Sequence, residues 1–265
     1  MKLFFQNLLL ILCVNYSIAQ TFYAVEYDAI YNTDFPLMRP ALLQFDDNHS
    51  VFMEFKKETR DINSTVTIEK TYQEMLDSSL EEEFKDAEHL VVTIQSKYDD
   101  VFKNNRSENK FLYTSEITSK RFLIEDNLIQ NWLITNETKI VSGYTVVKAT
   151  TKFRGRNWIA WFAPELAFGY GPWKFRGLPG IILEVFDESN RYHYVAKRIT
   201  ASEKIIIPDV SNAKKITIKD FVAKKDEYLD NRGATSSDRN SQTIRKTFKR
   251  NSLETYYEWE EEARK

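Results

Sequence analysis

Hydrophobic and polar positions alternate along most of this chain with a period near two, the pattern of strands with one buried face. Tyr23 to Tyr31 (YAVEYDAIY) sets aromatic and β-branched residues in near-alternation and predicts a first strand. Leu42 to Phe45 and Val51 to Phe55 predict two short strands joined as a hairpin by Asp46-Asp47-Asn48-His49. Between Tyr72 and His89 the period lengthens. Met75, Leu76, Leu80, Phe84 and Ala87 approach helical spacing among acidic residues, which predicts a short helix or an acidic loop. Asp99 to Lys110 is polar and predicts a loop. Strands are predicted again at Lys110–Glu116, Lys120–Glu125, Asn131–Ile134, Lys139–Lys152 and Asn157–Phe162, then at Ile181–Phe186 and Arg191–Ile199. Asp187-Glu188-Ser189-Asn190 joins the last two as a hairpin. Ile218, Phe221, Val222, Tyr228 and Leu229 mark an amphipathic helix over Ile216–Leu229.

Short strands in succession with helices at the middle and end predict a mainly β, α+β fold: a curved antiparallel sheet or half-barrel meander. No repeat and no Gly/Ser- or Pro-rich linker divides the chain. One domain is expected over residues 20–230, followed by a charged C-terminal extension over 231–265. The aromatic residues of Thr255-Tyr256-Tyr257-Glu258-Trp259 are expected to tie that extension to the body.

The chain begins with Lys2 ahead of an apolar run from Leu3 to Val14, too short for a membrane span. Ser17 and Ala19 then stand where a signal peptidase requires small residues, so residues 1–19 read as a cleavable signal peptide cut before Gln20. The single cysteine, Cys13, follows Leu12 inside the apolar run and offers no lipid-attachment motif. A mature chain starting at Gln20 has no thiol and no disulfide, and must depend on an apolar core. It carries 36 basic against 39 acidic residues, a near-balance that argues against general nucleic-acid or anionic-membrane binding. No transmembrane segment is expected after cleavage. The expected location is the periplasm or exterior of a Gram-negative bacterium.

Composition changes the picture in one window. Of seven glycines, six are Gly143, Gly155, Gly169, Gly171, Gly177 and Gly180. Trp132, Trp158, Trp161 and Trp173 lie in or just before the same stretch, as do Pro164, Pro172 and Pro179. Gly169-Tyr170-Gly171-Pro172-Trp173 and Arg176-Gly177-Leu178-Pro179-Gly180 predict two sharp turns in an ordered loop, with a positive φ at Gly180 and Leu178 packed inward. Gly177-Leu178-Pro179-Gly180-Ile181-Ile182 resembles the signature of the GLPGLI family, exported proteins of Bacteroidetes-type bacteria named for that motif. Ile140-Val141-Ser142-Gly143-Tyr144, Lys148-Ala149, Gly155-Arg156, Ala160-Trp161-Phe162 and Gly171-Pro172-Trp173 extend the similarity. It covers roughly residues 20–230, is strongest over 131–186, and departs at Ile181, where the family has Leu. The resemblance implies export. It supplies no catalytic residues.

Catalytic chemistry is sparse. His49, His89 and His193 are far apart and form no metal-ligand pair, and no nucleophile elbow or phosphate loop is present. No metal and no cofactor are expected. Asn63, Asn105 and Asn136 sit in Asn-x-Ser/Thr sequons that are incidental in such a bacterium. Arg154, Arg156, Lys174 and Arg176 interleave with Trp158, Trp161 and Trp173. That spacing fits a cationic–aromatic binding surface or ordinary stacking of cations over core tryptophans, and leaves both open. The candidate ligand-binding set is Arg156, Trp158, Trp161, Trp173, Arg176 and Leu178, held by the turn residues Gly169, Gly171, Pro172, Gly177, Pro179 and Gly180. These point to an exported, monomeric binding or accessory protein for an apolar ligand, a peptide or an envelope protein. The alternatives are a hydrolase using Glu165, Glu184, Asp187 or His193, and a structural partner of an outer-membrane receptor.

Overall fold

The computed structural model describes residues 21–55, 98–202, 204–233 and 250–262. The expected signal peptide and the expected helix between Tyr72 and His89 lie outside them. The described strands are β1 (Phe22–Tyr31), β2 (Leu37–Phe45), β3 (His49–Phe55), β4 (Tyr98–Asn105), β5 (Lys110–Ile117) and β6 (Lys120–Asp126). They continue as β7 (Leu133–Val141), β8 (Tyr144–Phe153), β9 (Arg156–Ala163), β10 (Ile181–Asp187), β11 (Tyr192–Ser202) and β12 (Lys214–Thr217). Helices α1 (Ile218–Gly233) and α2 (Glu258–Glu262) follow. All twelve strands form one mixed, unclosed sheet in the order β12-β6-β5-β4-β3-β2-β1-β11-β10-β9-β8-β7. Every pairing is antiparallel except β12 with β6. Among the described residues no helix is long and apolar enough to cross a membrane.

Strand parity assigns the faces. Along β1, Tyr23, Val25, Tyr27, Ala29 and Tyr31 join the main core, whereas Ala24 joins a small cluster on the opposite face with Leu42, Val51, Met53 and Val101. Gln44, fully buried, secures the cover of that second cluster. Its side-chain amide donates to the Lys204 carbonyl (3.3 Å) and accepts from the Ile206 amide (3.0 Å), which lays Ile205 over the patch.

Two expectations are corrected. Tyr98–Asn105 is a strand, not part of a loop, because it pairs with both β3 and β5. Its only strong apolar pair, Val101 and Phe102, divides between the two faces, so its period was hidden by polar neighbours. The run Lys139–Lys152 is not one strand. It breaks at Ser142 and Gly143, whose φ values of 49° and 85° form a two-residue turn of the hand that sheet twist favours. The same left-handed pair recurs at Thr118–Ser119 and Arg154–Gly155.

The C-terminal helix begins two residues later than its predicted start. The Thr217 hydroxyl accepts from the Asp220 amide (3.2 Å), a standard N-cap, and Phe221 packs on Phe122 with ring centroids 5.8 Å apart.

The glycine-rich loop is ordered, as expected, by pairing with itself. Tyr170 and Arg176 form an antiparallel bridge, the Gly177 amide donates to the Gly169 carbonyl (2.9 Å), and the Phe175 amide donates to Pro172 (3.1 Å). Gly180 does not hold a positive φ; among the loop glycines only Gly177 does, at 91°. Gly180 is instead required by close approach, since a Cβ there would overlap the Ala163 carbonyl and lie 2.7 Å from its carbon. Because the obstacle is backbone, Gly180→Ala should cost about 2 kcal/mol or more in equilibrium denaturation. A loss below about 0.5 kcal/mol would show that β9 can yield at this point.

Candidate functional site

The loop between β9 and β10 carries its aromatic residues inward. Trp158 is fully buried, and Trp173 and Phe175 are 5% and 2% exposed. Phe175 lies edge-on to Trp158 (4.7 Å) and Trp173 (5.2 Å), with Phe153 against both loop rings. The Trp158 indole donates to the Phe153 carbonyl (3.0 Å), which satisfies its polar atom. Trp158, Trp173 and Leu178 therefore close a core. Trp161, three residues after Trp158, projects from the opposite face, half-buried beneath the Lys139 ammonium at 4.4 Å. The proposed set thus divides between two faces of the sheet.

The two arginines of that set are tethers. Arg156 binds Asp187 (3.1 Å) and donates twice to the Ser252 carbonyl (3.0 and 2.7 Å) while stacking on Tyr192. Arg176 binds the side-chain oxygens of Asn104 (2.8 Å) and Asn109 (2.9 Å). Its amide is held by Gln130, whose own amide group donates to the Lys174 carbonyl (3.1 Å). The loop is thereby fastened to β4 and to the approach to β7.

Beside it lies a buried ion cluster. Asp126, at the end of β6, binds Arg154 (2.7 Å) and Lys174 (3.0 Å), and all three side chains are 1% exposed. Glu254 completes it, 2.7 Å from Lys174 and 3.6 Å from Arg154, with Glu258 3.1 Å from Arg154. Lys174 also sits 3.9 Å above the Tyr113 ring. Burial alone would lower the Lys174 pKa, but Glu254 and Asp126 outweigh it and hold it above its ordinary value, so the ammonium stays charged. Burial and the same two carboxylates push the Tyr113 hydroxyl well up.

Next to the cluster is a cavity of about 450 Å³, walled by Tyr31, Leu37, Arg39, Glu54, Phe102, Trp173, Tyr192 and Leu253, with Thr33, Asp100, Ser115, Glu116, Asn251 and Ser252 around them. Glu54, on the same face of β3 as Phe52, accepts from the hydroxyls of Tyr31 (2.6 Å) and Tyr194 (3.2 Å), with Arg39 at 4.0 Å. Burial and the Glu54 charge push the Tyr31 hydroxyl well above its ordinary pKa, which keeps it a donor. Trp173 is the one residue of the candidate ligand-binding set on this wall. Glu54 could have been found in the sequence: it occupies a core-parity position of an apolar strand. Asp126 and Glu254 carry no such signal, since each acquires its role from a partner distant in sequence.

Of the hydrolase candidates, Glu184 and His193 meet, while Asp187 and Glu165 stand apart from them. Glu184 accepts from His193 (3.0 Å) and Lys139 on the face opposite Tyr192 and Tyr194. Asp187 instead organises the β10–β11 turn, accepting from the amides of Arg191 (2.7 Å) and Tyr192 (2.8 Å), and Glu165 is exposed. Among the described residues no three His, Cys, Asp or Glu side chains form a group that could hold a metal ion.

Asp126→Asn should cost about 3–5 kcal/mol in denaturant unfolding, nearly independent of salt, because it leaves buried cations uncompensated. A loss under about 1 kcal/mol would mark the cluster as no stronger than a surface pair. A second prediction concerns acid. Burial would raise the Glu184 pKa, but hydrogen bonds from His193 and Lys139 and their charges hold it below its usual value. A carboxylate with a depressed folded pKa stabilises above its unfolded pKa of about 4.3 and loses that contribution as pH falls through the folded value. The stability difference between the parent chain and Glu184→Gln should therefore shrink as pH falls below about 4. A difference that grows on acidification would refute the assignment.

No family model matches the chain, and no curated protein matches it. Solved structures do. The chain is similar to PNGF-II in a C2 crystal form, with 15% identity and a TM-score of 0.49 over 80% of this chain and 33% of that one. It is also similar to PNGF-II in a P21 form, with 14% identity and a TM-score of 0.50 over 84% of this chain and 38% of that one. The chain thus spans little more than a third of the neighbour's length, and the likeness extends to the β-rich fold alone.

Proposed function

We propose that this is an exported binding protein of the bacterial envelope, with a signal peptide at residues 1–19 and the domain architecture of the GLPGLI proteins. In this reading the sheet is a curved half-barrel, and the cavity between its inner face and the loop is the ligand site. The observation that carries the proposal is the composition of that cavity. Tyr31, Phe102, Trp173 and Tyr192 supply aromatic wall and Leu37 and Leu253 aliphatic wall, while Arg39, Glu54 and six further polar residues line the rest. A concave site that combines aromatic wall with fixed polar groups is a usual form of a ligand pocket. It suits an apolar molecule or a peptide side chain bearing one polar end. An outer-membrane protein is the envelope partner that such a carrier would serve, with the protein itself a monomer.

The hydrolase reading has less support, because Glu184 and His193 meet on the face away from the cavity and without Asp187.

Native mass spectrometry of the chain purified gently from envelope extracts should retain a ligand of defined mass. Leu37→Trp, at the partly exposed wall of the cavity, should reduce the occupied fraction at least tenfold while leaving the melting temperature within a few degrees. Identical occupancy in both proteins would remove the cavity as the site.

A further inference from the structure

The ion cluster has an uneven charge balance. The sheet and loop contribute two cations, Arg154 and Lys174, and one anion, Asp126, all buried. The counter-charge is delivered by a separate strand of chain, the C-terminal segment from Arg250 to Glu262, through Glu254 and Glu258. That segment also forms one wall of the cavity with Asn251, Ser252 and Leu253. Its backbone is read like a bound peptide. The Thr255 amide donates to the Arg154 carbonyl (3.0 Å), and the Ser252 carbonyl accepts from Arg156. The Tyr257 ring lies 4.8 Å from the Arg154 guanidinium. Gly155 leaves the track clear: a Cβ there would stand 2.8 Å from the Tyr256 Cβ and would overlap the Thr255 hydroxyl.

The fit is incomplete. Nε and Nη1 of Arg154 are buried and make no hydrogen bond, although Glu258 and Glu254 lie 3.1 and 3.6 Å away. The resident segment thus brings two carboxylates to the site and still leaves two of the Arg154 donors without a well-aligned hydrogen bond. A buried guanidinium with idle donors is a site that a better-placed carboxylate would bind more tightly.

We propose that the groove beneath residues 251–257 is a binding site for acidic, tyrosine-containing peptide segments, and that the chain's own C-terminal segment is its exchangeable occupant. This rests on the binding reading above and adds to it a ligand class and a control: departure of the segment opens the cavity wall. Charge complementarity selects the occupant, since an emptied groove would hold one surplus buried positive charge.

The test uses the full chain and a fluorescent peptide of residues 250–262, followed by anisotropy. Glu254→Gln in the protein weakens the resident segment, and this variant should bind the peptide at least tenfold more tightly than the parent. A peptide carrying the same Glu254→Gln change should bind neither protein. Equal affinity for both proteins, or equal binding of both peptides, would overturn the proposal. Should Glu254→Gln fail to fold, two turn variants decide. Gly155→Asn and Gly143→Asn impose similar backbone demands on two-residue turns, but only at Gly155 does the new Cβ meet the segment; Gly143 has nothing within 4 Å. In a Cys13→Ser, Ser115→Cys background, maleimide should modify the cavity thiol at least tenfold faster with Gly155→Asn and at an unchanged rate with Gly143→Asn. Equal rates in the two would overturn it. A ligand retained in native mass spectra with no peptide exchange would end this inference and leave the cavity reading standing, while exchange without a retained ligand would do the reverse.

Discussion

The contact between Asp126 and Arg154 constrains the whole sheet. Asp126 ends β6, second in the strand order, and Arg154 follows β8, eleventh. A flat sheet would hold them about 40 Å apart at about 4.8 Å per strand. They are 2.7 Å apart, so the second and eleventh strands of the order share an ion pair, with Lys174 of the loop joining them. Buried ion pairs are poor sources of net stability because desolvation consumes most of the Coulombic gain. Their strength is specificity. Any other registration of the sheet's ends would leave two cations in the interior without a partner, and that penalty exceeds what a slipped apolar contact would cost.

The aromatic core and the ion cluster are consequently one structure seen from two sides. Trp173 and Phe175 pack against Trp158 and Phe153, while Lys174 between them points to Asp126. The chain turns here, with Trp173 at φ 53° and the Phe175 amide bonded to the Pro172 carbonyl. The loop uses that geometry to place rings on one side and an ammonium on the other. The glycines that allow it act mainly by omission: Gly180 lets the loop lie against Ala163, and Gly155 lets the C-terminal segment lie against the β8–β9 turn.

How much of this could be read in advance follows from the range of the interactions. The strand β1 was legible from its near-alternation, β3 from a run of consecutive apolar residues, and the Asp187–Asn190 turn because its residues suit it. The strand β4 was not, since its two apolar residues serve two different cores. The tryptophans left groove and core open, yet their spacing held an answer. Trp158 and Trp161 are three apart on a predicted strand, so they had to face opposite sides and could not both line one groove. The partners of Arg154 and Lys174 were beyond such reading, because Asp126 and Glu254 are 28 residues before and 80 residues after them in the chain.

Backbone conformation supplies independent support for the priority of the cluster. In the turns Thr118–Ser119 and Ser142–Gly143 the first left-handed position holds a threonine and a serine. In the third turn it holds Arg154, at φ 52°, and the loop places Trp173 at φ 53°. A bulky side chain in this region costs about 1–2 kcal/mol relative to glycine. Neither residue is exposed, so solvent preference does not explain the choice. Both send a side chain into the same interior: Arg154 to Asp126, Trp173 onto Phe153 and Phe175. At these two positions the interactions gained on arrival are larger than the torsional cost of pointing there.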